Sequence, residues 1–205
     1  MLFADGLKDI VTPGTKVHKV AGGCKFTEGP AYGPNRTLIF SDIPNNRIVR
    51  VLPDGGSENF LKPTGKSNGL MFNRAGILYA CQGGDRRVVR IDVENGKKIT
   101  PVADSYNGKK LNSPNDLVLD AHGGIYFTDP RYGSQDDVEQ PVMGVYYINS
   151  KGVISRVIDD LERPNGISVS PRGNYLYVAD FDPGKIYRYT IQSPGNLTKK
   201  GRHLQ

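Results

Sequence analysis

Four polar residues, Glu28, Asn68, Asn115 and Asn165, recur in one local setting. Each opens a short aliphatic run: Glu28-Gly-Pro, Asn68-Gly-Leu, Asn115-Asp-Leu and Asn165-Gly-Ile. Each precedes the end of a second strand-like run by 14 residues in three cases (28 to 42, 68 to 82, 115 to 129) and by 15 in the fourth (165 to 180). One carboxylate and three amides are hard oxygen donors, the kind calcium accepts together with water. If the four meet, their polar heads need partners in a buried setting, and a cation would supply one. A single negative charge is little for a dication, so a further acidic ligand is expected. The competing reading is a turn, because Asn-Gly favours tight hairpins. A turn accounts for Asn68-Gly69 and Asn165-Gly166, but not for Glu28-Gly29 or Asn115-Asp116. For Asn68 both readings stay open.

The elements that would position these residues form a repeat. After each polar residue comes a second run: Leu38-Ile-Phe-Ser-Asp42, Leu78-Tyr-Ala-Cys-Gln82, Ile125-Tyr-Phe-Thr-Asp129 and Leu176-Tyr-Val-Ala-Asp180. A third run follows at 47–51, 87–91, 144–148 and 185–189, and a fourth strand is expected near 57–61, 99–103, 154–158 and 197–204. Successive units start 40, 47 and 50 residues apart. Units of this length with four short antiparallel strands are β-propeller blades. The chain therefore reads as an all-β propeller domain with four blades, at about 26–63, 67–104, 114–160 and 164–205. In a propeller the inner strands line a central channel, so the four polar residues would face one axis.

Other residues take roles from this frame. Residues 16–22 are expected to form an outer strand. Tyr79, Tyr126 and Tyr177 are expected between blades. Asp42, Asp129 and Asp180 end second strands, where aspartate commonly starts turns. Asp116 is expected to point away from the axis, since neighbouring residues on a strand face opposite sides. The loop 131–143 is about ten residues longer than its counterparts. Arg131, Tyr132, Asp136 and Asp137 on it, together with Asn68, are candidates to contact a substrate.

Composition narrows the function classes. The 205 residues include 25 Gly and 14 Pro, which suits a chain that turns often. The net charge of +6 is scattered, with its densest group at Lys199, Lys200 and Arg202. A solvated surface is expected, with no nucleic-acid partner. The first ten residues lack the apolar stretch of a signal peptide, and no run suits a membrane span. The expected setting is cytoplasmic, or periplasmic or secreted if a leader has been removed. Two cysteines, Cys24 and Cys81, form no CxxC and are expected as buried free thiols. There is no Gly-x-Ser-x-Gly elbow. Gly65-Lys66-Ser67 precedes a strand rather than a helix, so it is no phosphate loop. No pattern speaks to oligomeric state.

Several motifs together resemble one family. Phe26-Thr-Glu-Gly-Pro30, Phe40-Ser-Asp-Ile-Pro-Asn-Asn-Arg47, Ser67-Asn-Gly-Leu70, Leu111-Asn-Ser-Pro-Asn-Asp116, Tyr126-Phe-Thr-Asp-Pro130 and Arg163-Pro-Asn-Gly166 are similar to bacterial gluconolactonases of the gluconolactonase/regucalcin (SMP-30) family. The resemblance implies a six-bladed propeller, a divalent metal in the channel and hydrolysis of sugar lactones such as glucono-1,5-lactone. Calcium is the first choice, with zinc or magnesium as alternatives. By resemblance Glu28 and Asn165 bind the metal, and Asn115 contacts substrate beside it. The family's remaining ligand, an aspartate that is also its acid/base group, is expected beyond Gln205 in a Pro-Asp-Gly motif. The catalytic base is thus unassigned here, the chain reads as truncated, and little lactonase activity is expected from it alone. Two rivals are a non-catalytic propeller that binds a partner, and an aryl-ester or organophosphate hydrolase of the same architecture.

Overall fold

A computed structural model of the chain describes residues 10–12 and 14–198, and the backbone of 202–204. Residues 1–9, Lys199, Lys200, the Arg202 side chain and Gln205, all weighed above, lie outside the described residues.

Strong β-formers alternate with turn residues, and the chain folds accordingly into antiparallel sheets. The first blade is β1 (Thr27–Tyr32), β2 (Leu38–Asp42), β3 (Arg47–Val51) and β4 (Ser57–Leu61), paired in sequence order. The second is β5 (Ser67–Phe72), β6 (Leu78–Gln82), β7 (Arg87–Asp92) and β8 (Lys98–Ala103). A small hairpin, β9 (Ser105–Tyr106) and β10 (Lys109–Lys110), follows, turning through Asn107 and Gly108 at positive φ. The third blade is β11 (Leu117–Leu119), β12 (Ile125–Asp129), β13 (Gly144–Ile148) and β14 (Ile154–Ile158). The fourth is β15 (Pro164–Val169), β16 (Tyr175–Asp180) and β17 (Lys185–Ser193), with β18 (Asn196–Leu197) and β19 (Arg202–Leu204) both on β17. The architecture is all-β, with four blades in a propeller arrangement.

The core lies between blades, not within them. Ile39, Ile48, Phe60, Leu78 and Val89 seal the first blade against the second. Cys81, Leu111, Phe127 and Tyr146 seal the second against the third. Tyr126, Tyr147, Leu176, Val178 and Tyr189 seal the third against the fourth. The inner strands β1, β5, β11 and β15 therefore stand side by side around one axis.

Four expectations need correction. Residues 16–22 carry no strand; Val17 and Val20 are exposed, because no described strand lies beside them to complete a ladder. The expected outer strand at 197–204 is two short strands instead: β18 folds back on the end of β17 through a turn at Pro194 and Gly195, and β19 pairs with the start of β17. Tyr126 is fully buried between blades and Tyr79 packs partly there. Tyr177 instead is half-buried beside Tyr175, on a sheet face that no described blade covers. Cys81 is buried but Cys24 is partly exposed, and both are free.

Candidate functional site

The axial site is made by irregularities in the inner strands. The β1–β2 register shifts between Glu28 and Ala31, the β5–β6 register between Ser67 and Leu70, and the β15–β16 register between Pro164 and Ile167. In the third blade regular pairing begins only at Leu117. There Asn115 N donates to Thr128 O (2.9 Å), and Asp116 N donates to Thr128 Oγ1 (3.1 Å). Bulges re-aim side chains and break strict alternation. At these positions they turn polar residues toward the axis.

The inner strands pack closely because glycine follows the axial residue in three of the four blades. A Cβ on Gly29 would overlap Asn68 O, and one on Gly69 would lie 2.6 Å from Asp116 Cα. Hydrogen bonds then tie each blade to the next. Ser41 Oγ donates to Asn68 O (2.7 Å), Gly69 N to Asn115 O (2.7 Å), and Thr128 Oγ1 to Asn165 O (2.7 Å).

A cavity of about 460 Å³ results, lined by Glu28, Asn68, Asn115, Asp116 and Asn165 over an apolar floor that includes Leu70 and Ile167. Asn115 is buried, and Glu28, Asn68 and Asn165 are half-buried. The side chains of Glu28, Asn68 and Asn115 have no hydrogen-bond or ion-pair partner among the described residues. Asn165 Nδ2 donates to Tyr132 Oη (2.6 Å). Among the described residues no group of three or more His, Cys, Asp or Glu side chains comes together. The donor set is thus two carboxylates and three amides.

Asp116 is the residue that the alternation argument placed wrongly. It lines the cavity, and its carboxylate bridges two blades. Oδ1 accepts from Leu117 N (2.9 Å), and Oδ2 accepts from Ile167 N of the fourth blade (3.0 Å). Burial raises its pKa against these two bonds, and the neighbouring Glu28 adds to the rise. A signal was present in the repeat: the position after the axial residue is Gly29, Gly69 and Gly166 in the other blades, and Asp116 in this one.

The long loop contributes unevenly. Arg131 does not line the cavity. Its guanidinium donates to Ser134 O (2.8 Å) and Asn112 O (3.1 Å) and pairs with Asp137. Asp137 also pairs with Arg86 of the second blade (3.1 Å), and Asp136 accepts from Ser134 Oγ (2.7 Å). Of the four loop candidates, Tyr132 touches a cavity residue, Asn165.

The second-strand aspartates are structural by a route other than the turn expected. Each reaches back to the segment leading into its own inner strand. Asp42 accepts from Lys25 N (3.1 Å), Asp129 from Asn112 N and Ser113 N (2.7 and 2.8 Å), and Asp180 from Glu162 N and Arg163 N (3.1 and 2.7 Å). Burial opposes ionisation of Asp42, but bonds from Asn45, the Lys25 amide and Arg47 outweigh it and hold its pKa at about 2. Asp129 sits deeper, and burial pushes it up to about 7 despite its two amide donors.

Comparison with known proteins places this arrangement. Residues 26–205 match the family model described as SMP-30/Gluconolactonase/LRE-like region. The chain is 32% identical to the gluconolactonase of Zymomonas mobilis, across 96% of this chain and 60% of that protein. It is 25% identical to the lactonase drp35 of Staphylococcus epidermidis, across 82% of this chain and 52% of that one. The solved structure of a Xanthomonas campestris gluconolactonase superposes with a TM-score of 0.81 at 32% identity, covering 88% of this chain and 62% of the other. The chain therefore spans between half and two-thirds of the length of these relatives.

Proposed function

The chain belongs to the SMP-30/gluconolactonase/LRE-like family, and from that premise we propose that its axial cavity holds a divalent cation, calcium first, and serves the hydrolysis of sugar lactones. The carrying observation is Glu28: a half-buried carboxylate with no partner among the described residues, facing the cavity beside Asn68, Asn115, Asp116 and Asn165. Its charge repels the Asp116 carboxylate, adding to the rise in that group's pKa. A cation relieves that repulsion. All the available donors are oxygens, which suits calcium or magnesium better than a site of nitrogen and sulfur ligands would. Glu28 and Asp116 together match the charge of a dication.

In this reading Glu28 and Asn165 hold the cation, and Asn115 completes the coordination or orients the substrate. Asn68 faces the same space and is a candidate substrate contact. When bound, the metal supplies Lewis-acid polarisation of the lactone carbonyl and stabilises the developing oxyanion. Asp116 holds β11 and β15 together and adds negative charge. Its two oxygens are engaged by backbone amides, so it is poorly placed to take a proton from water. The names of the relatives support a lactone as substrate.

Calcium binding and glucono-1,5-lactone turnover, measured side by side, test the reading. The 205-residue chain is expected to bind calcium, to lose that binding in Glu28→Gln, and to hydrolyse the lactone slowly. Whatever turnover occurs is expected to require calcium and to exceed that on phenyl acetate. Turnover indifferent to both a chelator and Glu28→Gln would overturn the proposal.

A further inference from the structure

We propose that the rim opposite the axial residues holds a second binding site, for a small organic anion with a carboxylate or phosphate head and an apolar body. The proposal stands apart from the cation reading and does not rest on it. Five residues after each of Asn68, Asn115 and Asn165 the inner strand gives way to a turn, beginning at Asn73, Asp120 and Ser170. Each of these turns carries one basic side chain: Arg74, His122 and Arg172. All three are exposed, and all three line one cavity of about 940 Å³. The first blade repeats the pattern with Arg36, in the turn between β1 and β2 and outside the cavity lining. This cavity meets the axial one along Met71, Phe72, Val118 and Ser168, which line both.

The basic groups here are unspent. Arg36, Arg74 and Arg172 have no ion pair, side-chain hydrogen bond or ring contact among the described residues. Every other arginine whose side chain is described is in an ion pair, over an aromatic ring or beside a carboxylate. The unengaged guanidiniums thus fall in equivalent turns of three blades, unlike the scattered charge elsewhere. The carboxylate in the lining, Asp120, is occupied within the protein. Its Oδ1 accepts from His122 N (2.8 Å) and Gly124 N (2.7 Å), and its Oδ2 accepts from Tyr147 Oη (2.8 Å). Between the turns the wall is apolar and aromatic, with Phe72, Tyr79, Val169 and Ile191. Small ligands occupy clefts of about 300–1,000 Å³ with such walls and a few placed polar groups. A guanidinium offers paired donors that match a carboxylate or phosphate. Two unengaged arginines over an apolar wall therefore select an anionic head joined to an apolar body.

The test titrates the calcium-free 205-residue chain in a chloride buffer, so that the cation site plays no part. Four probes are compared by calorimetry and by backbone amide shifts: 2-naphthoate, 2-naphthyl phosphate, the neutral 2-naphthamide and inorganic phosphate. At least one naphthyl anion is expected to bind, with shifts concentrated at 73–75, 120–123 and 170–173; the tighter of the two identifies the head group. 2-Naphthamide is expected to bind about tenfold more weakly or worse, for want of the charge-assisted contact. Inorganic phosphate is expected to lose as much for want of the apolar body. The double variant Arg74→Gln/Arg172→Gln, changed at exposed turn positions, is expected to weaken the anion about tenfold or more with its thermal melt unchanged. An amide that binds as tightly as the acid, equal affinity in the double variant, or shifts confined to the cavity around Glu28 contradicts the site. So does a chain that ignores both naphthyl anions, even if it takes up an acidic peptide through the same turns.

Discussion

Glu28 and Asp116 are two carboxylates in one cavity with opposite circumstances. Glu28 has no protein partner among the described residues, while Asp116 has both oxygens engaged. Substitutions should separate them. Glu28→Gln removes a charge without changing shape, and is expected to weaken calcium binding about 100-fold or more while leaving urea unfolding of the calcium-free chain nearly unchanged. Asp116→Ala leaves the Leu117 and Ile167 amides without acceptors. It is expected to destabilise the fold by about 3 kcal/mol in urea unfolding, since hydrogen bonds to charged groups contribute about 1.5–3 kcal/mol each. If Asp116→Ala unfolds like wild type, the carboxylate does not hold the blades. That Glu28, Asn115 and Asn165 line one cavity follows from their shared place in the repeat. Asp116 was not legible in this way, because the alternation rule that excluded it assumes a regular strand, and the third inner strand becomes regular only at Leu117.

At the scale of elements, glycines and second-strand aspartates set how the inner strands meet the axis. Gly69→Ala would drive a methyl group into the Asp116 backbone. A loss of about 3 kcal/mol or more is expected, together with weakened calcium binding because the cavity wall moves; denaturant melts and calorimetry would show both. Asp42 gives a pH signature. Its folded pKa of about 2 lies below an unfolded value near about 3.9. Its contribution to stability is therefore complete above about pH 4 and is lost as the pH falls toward 2. Asp42→Asn should flatten that part of the acid-unfolding curve; an unchanged curve would contradict the account. The strands themselves were readable, since β-branched and aromatic runs sit between turn residues at blade spacing. Residues 16–22 were not, because a strand exists only through its partner, and sequence does not say whether a partner is beside it. The aspartates were read as turn formers for a similar reason. Their actual acceptor role toward segments 16 to 18 residues earlier, as in Lys25 to Asp42 or Ser113 to Asp129, is a tertiary contact.

For the whole molecule, a cation held by Glu28, Asn115 and Asn165 would link the first, third and fourth blades, beyond the cores and hydrogen bonds that join each blade to its neighbour. Binding that favours the folded chain stabilises it by mass action. At calcium a hundredfold above its dissociation constant the gain is about 2.7 kcal/mol, so the melting temperature should rise with calcium in wild type and stay flat in Glu28→Gln. The most direct measurement is anomalous diffraction from crystals of this chain grown in calcium. The account predicts one anomalous peak in the axial cavity, about 2.3–2.6 Å from oxygens of both Glu28 and Asn165. Calcium bound elsewhere with that cavity empty, or the two side chains turned away from each other, would contradict it.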